Sequence, residues 1–161
     1  MAIRILKEVS RDGGRLPTTG KPAIIAGIPL ELGTSGSTVH PYEGNADIMV
    51  FGLASDSNVT QPLQGAGGLT VGVGYDYTNF NRGGLVGAFL NGGVFQLYND
   101  GTGNPFNTAA GFTLNKAVYA NSGSGLLDAV AGATGQLVGS CMGVANAGSS
   151  TAMRLTLKLT I

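Results

Sequence analysis

From Met153 to Ile161 apolar and polar residues alternate without interruption: Met153, Leu155, Leu157, Leu159 and Ile161 fall on one face, and Arg154, Thr156, Lys158 and Thr160 on the other. A period of two belongs to a strand with one face buried. At 3.6 residues per turn the same apolar side chains would point all round a helix. Gly68 to Tyr77 repeats the pattern, with Leu69, Val71, Val73, Tyr75 and Tyr77 set against Thr70, Gly72, Gly74 and Asp76. Ala46 to Leu53 is mostly apolar and predicts a buried strand. Ala23 to Leu32 is broken by Gly27 and Pro29, so it predicts an edge strand or a bulged one. Leu85 to Leu90 and Val94 to Tyr98 flank Asn91-Gly92-Gly93, the signal of a hairpin, and Asn99-Asp100-Gly101 marks a further turn. Helical spacing is not sustained anywhere beyond residue 22, and at most one short helix is expected, around Thr108 to Gly111. The predicted fold is all-β, a compact β-barrel or β-sandwich of short antiparallel strands with an extended N-terminal arm and little helix.

That arm is residues 1–22. It holds five of the nine basic residues, Arg4, Lys7, Arg11, Arg15 and Lys21, against two acidic ones, whereas residues 23–128 hold seven acids and two bases. Asp12-Gly13-Gly14 and Leu16-Pro17 break any helix that Ile5 and Val9 begin, so the segment is expected to be extended. It is either a solvated tail or an arm laid on a neighbour. In both cases deleting residues 2–15 is expected to leave the fold of residues 23–161 intact.

Composition adds a reason to expect self-association. Charged residues make up 11% of the 161, and the nine acids balance the nine bases. A surface with so little charge lacks the repulsion that keeps monomers apart; the alternative is a monomer covered by Thr, Ser, Asn and Gln. The 28 glycines follow no three-residue repeat, which excludes collagen and favours turn-rich β-structure. Met1-Ala-Ile-Arg-Ile-Leu-Lys-Glu has no continuous apolar core of signal-peptide length, so synthesis and folding in the cytoplasm are expected. Ala129 to Ala145 is uncharged, with Gly135, Gly139 and Gly143 at four-residue spacing, but it has too few large apolar residues for a membrane span.

The sequence carries little recognisable chemistry. Gly139-Ser140-Cys141-Met142-Gly143 has the spacing of a nucleophile elbow, yet no acid and no histidine follow Cys141, and the single histidine, His40, lies a hundred residues upstream. One His and one Cys do not make a zinc site by the usual count of soft ligands, so neither metal nor cofactor is expected. Glu43 and Asp47 flank a Gly-Asn turn that points them apart. Asn99 to Asn104 lacks the carboxylates of a calcium loop. No Gly-x-Gly-x-x-Gly is complete and no Gly-Lys-Ser/Thr occurs. The aromatic-rich middle (Tyr75, Tyr77, Phe80) carries only Arg82, which argues against nucleic acid. The chain is expected not to be an enzyme and to have no small-molecule substrate.

The C-terminal third carries a resemblance. Leu114-Asn115-Lys116-Ala117-Val118-Tyr119-Ala120-Asn121, Gly125-Leu126-Leu127, Gly135-Gln136-Leu137-Val138-Gly139, Gly143-Val144-Ala145 and the final alternating strand together resemble the β-module of tailed-bacteriophage capsid decoration, or cement, proteins. The pattern is a Val-Tyr strand, a Gly-Leu hairpin, a Val-Gly strand, a small-residue turn and a closing strand. The resemblance covers residues 113–161 and leaves the Gly-rich region 56–112 without a counterpart, as a candidate insertion. It implies a structural virion protein on the outer capsid surface that clamps major capsid protein subunits, most often as a homotrimer. It implies no catalytic residues, and it casts residues 1–22 as the arm that completes the contact, through Arg4, Lys7, Arg11 and Arg15. The rival reading is a phage fibre or receptor-binding β-module that holds host surface glycans in the loops of its Gly-rich middle.

Overall fold

The computed structural model describes residues 3–7, 10–21, 24–45, 47–55, 86–99 and 104–161. The strand expected at 68–77, most of the Gly-rich region and the 100–101 turn lie outside them. The described residues form eleven strands and no helix: β1 (Ile3–Lys7), β2 (Ser10–Pro17), β3 (Pro29–Leu32), β4 (Thr38–Pro41), β5 (Gly52–Ala54), β6 (Val86–Asn91), β7 (Val94–Tyr98), β8 (Ala117–Ala120), β9 (Leu127–Asp128), β10 (Gln136–Ala145) and β11 (Arg154–Leu159). The all-β expectation holds. Where a short helix was expected, Thr108 and Ala109 form a turn, closed by Ala110 N–H donating to the Asn107 carbonyl.

Six strands make one sheet in the order β1-β7-β11-β10-β8-β9. The alternation at the C-terminus places β11 between β7 and β10, with Met153, Leu155, Leu157 and Leu159 buried while Arg154 and Lys158 stay exposed. Its inner face meets Phe95 and Leu97 of β7, and Val138 and Cys141 of β10, in one apolar core. The other five strands form a curled sheet in which β2 pairs with β6 on one side and, in parallel, with β4 on the other, through Leu16↔Thr38 and Pro17↔Val39. Its own smaller core holds Ile24, Ile28, Leu30, Val39, Ala54, Val86 and Ala88.

Several expectations need correction. The arm is extended, but both of its strands belong to the body: β1 pairs with β7, and β2 with β4 and β6. β6 and β7 do not pair with each other, so Asn91-Gly92-Gly93 is not a hairpin turn. It is a corner that carries the chain from one sheet to the other. Gly92, at φ 76°, donates to the Leu159 carbonyl and Leu159 donates to the Gly93 carbonyl, so the corner is fastened to β11. Across it Phe89 and Phe95 stack with ring centroids 4.7 Å apart, and this contact joins the two sheets.

β3 is not an edge strand, because β4 and β5 flank it; Pro29 stands at its first residue, where a missing N–H is tolerated. Of the strand expected over Ala46 to Leu53, the described residues form only the end, Gly52 and Leu53, which begin β5. Ahead of it, the Gln136 side chain donates to the Ile48 carbonyl and accepts from Val50 N–H, each at 2.7 Å. One amide side chain thus replaces a partner strand, and Met49 is left exposed. Gly143-Val144-Ala145 ends β10, and the turn comes after it, at Asn146 and Gly148 with φ of 53° and 77°.

Candidate functional site

Two places in this frame gather functional side chains. The first is the outward face of the six-stranded sheet. Strand pairing sets Arg4 beside Gln96 and Gln96 beside Thr156; Lys7 beside Val94 and Val94 beside Lys158; and Arg154 beside Tyr98. Those rows alternate with Ile3–Leu97–Leu155 and Ile5–Phe95–Leu157, whose β7 and β11 members are buried. Strands β1, β7, β8, β10 and β11 together carry four basic residues, Arg4, Lys7, Arg154 and Lys158, and no acidic one. The Arg154 guanidinium lies 5.8 Å from the Tyr98 ring centroid, and the Tyr98 hydroxyl donates to Gln96 Oε1 at 2.6 Å. On β10, Leu137 and Met142 are 54% and 44% exposed, and Leu137 pairs with Tyr119 of β8.

The four residues predicted to touch a partner are therefore divided. Arg4 and Lys7 lie on β1, in register with Gln96 and Val94 of this sheet. Arg11 and Arg15 lie on β2, in register with Phe89 and Val86 of the curled sheet. Arg15 is engaged within the chain: its Nε bonds Asp12 Oδ2 at 3.0 Å, its Nη1 donates to the Gly36 carbonyl, and its guanidinium sits 4.8 Å from the Phe51 ring centroid. Arg154 and Lys158 were not singled out by sequence reasoning. Their signal was present as the polar side of the terminal alternation.

The second place is in the curled sheet, where β3 and β4 form a hairpin over Gly33–Ser37 and Glu31 pairs directly with His40. Both are buried, at 1% and 6% exposure. Glu31 Oε2 accepts from Glu43 N–H at 3.1 Å, and Oε1 faces His40 Nε2 at 3.5 Å. The other ring nitrogen, Nδ1, lies 3.0 Å from the Pro41 carbonyl and 3.9 Å from Glu43 Oε1. A carbonyl only accepts, so Nδ1 is the protonated nitrogen. Lys21 Nζ holds both oxygens of Glu43 at 2.8 Å, and this hydrogen bond keeps the Glu43 carboxyl below its ordinary range. Burial, with the charge of Glu31 nearby, raises the Tyr42 hydroxyl, which donates to the Thr134 carbonyl at 3.0 Å.

Beside this cluster lies an open cleft of about 370 Å³ between Ile25, Pro41, Tyr42 and Glu43 on one wall and Ser122 to Leu126 on the other. Its walls meet where glycine is required. At Gly44 (φ +79°) a Cβ would stand 2.2 Å from the Ser122 carbonyl oxygen, and at Gly125 (φ +68°) 2.5 Å from that of Tyr42.

Cys141 belongs to neither place. The 139–143 segment runs along β10 instead of turning, and Cys141 is fully buried opposite Leu157. Burial raises its thiol pKa, which is the reverse of what a nucleophile needs. His40 is in the other sheet. No model of a known protein family and no curated protein sequence matches this chain.

Proposed function

We propose that this chain is a structural protein of a tailed-phage virion, bound to the outer surface of the assembled capsid, where it clamps major capsid protein subunits as a homo-oligomer, with a trimer favoured. The observation that supports this reading is the outward face of β7, β10 and β11, strands that carry Arg154 and Lys158 and no acidic residue. Arg154 and Lys158 stand exposed there next to exposed Leu137 and Met142, and β1, which carries Arg4 and Lys7, pairs with the other edge of β7. Exposed apolar side chains flanked by charge of one sign suit a dry contact with an acidic rim. Residues 113–161, which carry the resemblance to cement proteins, supply β8 to β11 of that sheet. Repetition around the shell multiplies a modest contact without new chemistry.

The test is co-sedimentation with capsids that lack this protein. Wild type should bind through moderate salt, and the R154E/K158E double variant, whose two sites are solvent-exposed, should stay folded and lose binding. Undiminished binding by the double variant would remove this face from the proposal. A second reading, a fibre or receptor-binding module for host glycans, is favoured by the cleft beside Glu43, which offers the Ser122 and Ser124 hydroxyls over an apolar floor. It predicts binding to host cells and none to capsids.

A further inference from the structure

We propose that Glu31, His40 and Glu43 form a binding site for one divalent transition-metal ion, with zinc as the best fit. One bond in the cluster is unmade. His40 Nε2 and Glu31 Oε1 are on buried side chains and face each other across 3.5 Å, beyond the 2.7–3.2 Å of a good N–H···O bond. Two ligand atoms at about 2.1 Å from one tetrahedral ion stand about 3.4 Å apart, so the gap matches a shared metal better than a shared proton. The second ring nitrogen makes the contact that metal-bound histidines use. Nδ1–H points to the Pro41 carbonyl, which fixes the tautomer with its lone pair on Nε2. Glu31 is set in turn by the Glu43 backbone N–H on its other oxygen. One ligand atom from each of the three residues falls within 4.8 Å of the others. Zinc accepts this mixed nitrogen and carboxylate set, which a count of His and Cys alone overlooks.

The ligands divide by position. Glu31 and His40 are paired on adjacent strands and form a half-site, whereas Glu43 is an exposed side chain after β4 whose Oε1 lies 3.9 Å from His40 Nδ1 and must turn toward Nε2 to complete the set. Without metal, Lys21 occupies Glu43 through both oxygens. Lys21 therefore competes with the ion for its third ligand, and freeing Glu43 should improve binding. This site is independent of the sheet face assigned to the capsid.

Zinc is titrated into the full chain by calorimetry, and cobalt by visible absorption. Wild type should bind one equivalent of zinc, and cobalt should give the intense bands of a low-coordinate N/O site. His40→Gln should lose roughly tenfold or more in affinity. Lys21→Ala, a change at a half-exposed site, should bind several-fold more tightly. Absence of one-equivalent binding by wild type, or affinity unchanged in both variants, would overturn the proposal. The cobalt spectrum of the unaltered chain decides the matter even if His40→Gln fails to fold.

Discussion

The two sheets solve the same problem with different materials. The six-stranded sheet buries one face, and that face is wholly apolar: Phe95, Leu97, Val118, Val138, Cys141, Leu155, Leu157 and Leu159. The curled sheet has a core of smaller side chains, among them Ala54, Val86 and Ala88, and it also buries Glu31 and His40. Burying ionisable groups costs several kcal/mol unless each is paired or ligated. The contrast teaches where stability and chemistry reside. The six-stranded sheet is the anchor, with an apolar core and one buried acid, Asp128 of β9, held at its edge by the Asn107 side chain and the Val130 N–H, and the curled sheet gives up apolar volume to hold a reactive cluster.

The most severe way to break this division is Leu157→Lys, which puts a charge into the apolar face at a cost of several kcal/mol. No folded soluble protein should be recovered, as judged by circular dichroism and size-exclusion chromatography. Truncations come next. A chain lacking residues 2–7 loses only the edge strand β1 and should remain folded with a lower melting temperature. One lacking residues 2–17 also loses β2, which strips β4 and β6 of one neighbour each and opens the curled sheet between them, and should not fold. Gly139→Ala is expected to cost about 1–3 kcal/mol in urea denaturation, because its Cβ would lie 2.0 Å from the Lys158 carbonyl oxygen. Gly143→Ala, at the first paired residue past the bulge and with a Cβ that would lie 4.0 Å from Thr156, is the tolerated control.

Arg15→Ala should cost the curled sheet about 1 kcal/mol, by removing the Asp12 pair and the stacking on Phe51. The smallest effect concerns acid. The folded state holds the Glu43 carboxyl below its ordinary value of 4.5, so the Lys21 pair stabilises the fold above that range. The contribution disappears as pH falls through the lowered value. Melting curves of wild type and Lys21→Ala, in chelator, should therefore differ slightly near neutrality and converge in acid.

How much of this was legible depended on how many faces a strand buries. β7 and β11 bury one face each, so their alternation could be read directly from Val94–Tyr98 and Met153–Ile161. β6 faces two cores, with Val86 and Ala88 turned into the curled sheet and Phe89 into the shared core. It appears in the sequence as an unbroken apolar run, recognisable as a strand but silent about its partner. Asn91-Gly92-Gly93 misled because it encodes a local reversal and says nothing about which strands meet afterwards. Of the candidate sites, the polar edge of β11 was visible, but its placement in one sheet with Arg4 and Lys7 depends on pairing across most of the chain. The Glu31–His40 contact was hidden because Thr38-Val39-His40-Pro41 is too short and too polar to show as a strand. Only the hairpin over Gly33–Ser37 brings the two residues into register.

The pairing of Ile3 with Leu97 and of Ser10 with Asn91 also sets the tempo of folding. Each of these rungs closes a loop spanning more than half of the polypeptide, and the entropy of that closure is spent before any contact offsets it. Refolding should therefore be slow, in the range of milliseconds to seconds typical of non-local β proteins. Until β1 and β2 dock, β7 and β6 remain exposed as sticky edges, so dilute and cool conditions are those in which recovery of native protein should be highest.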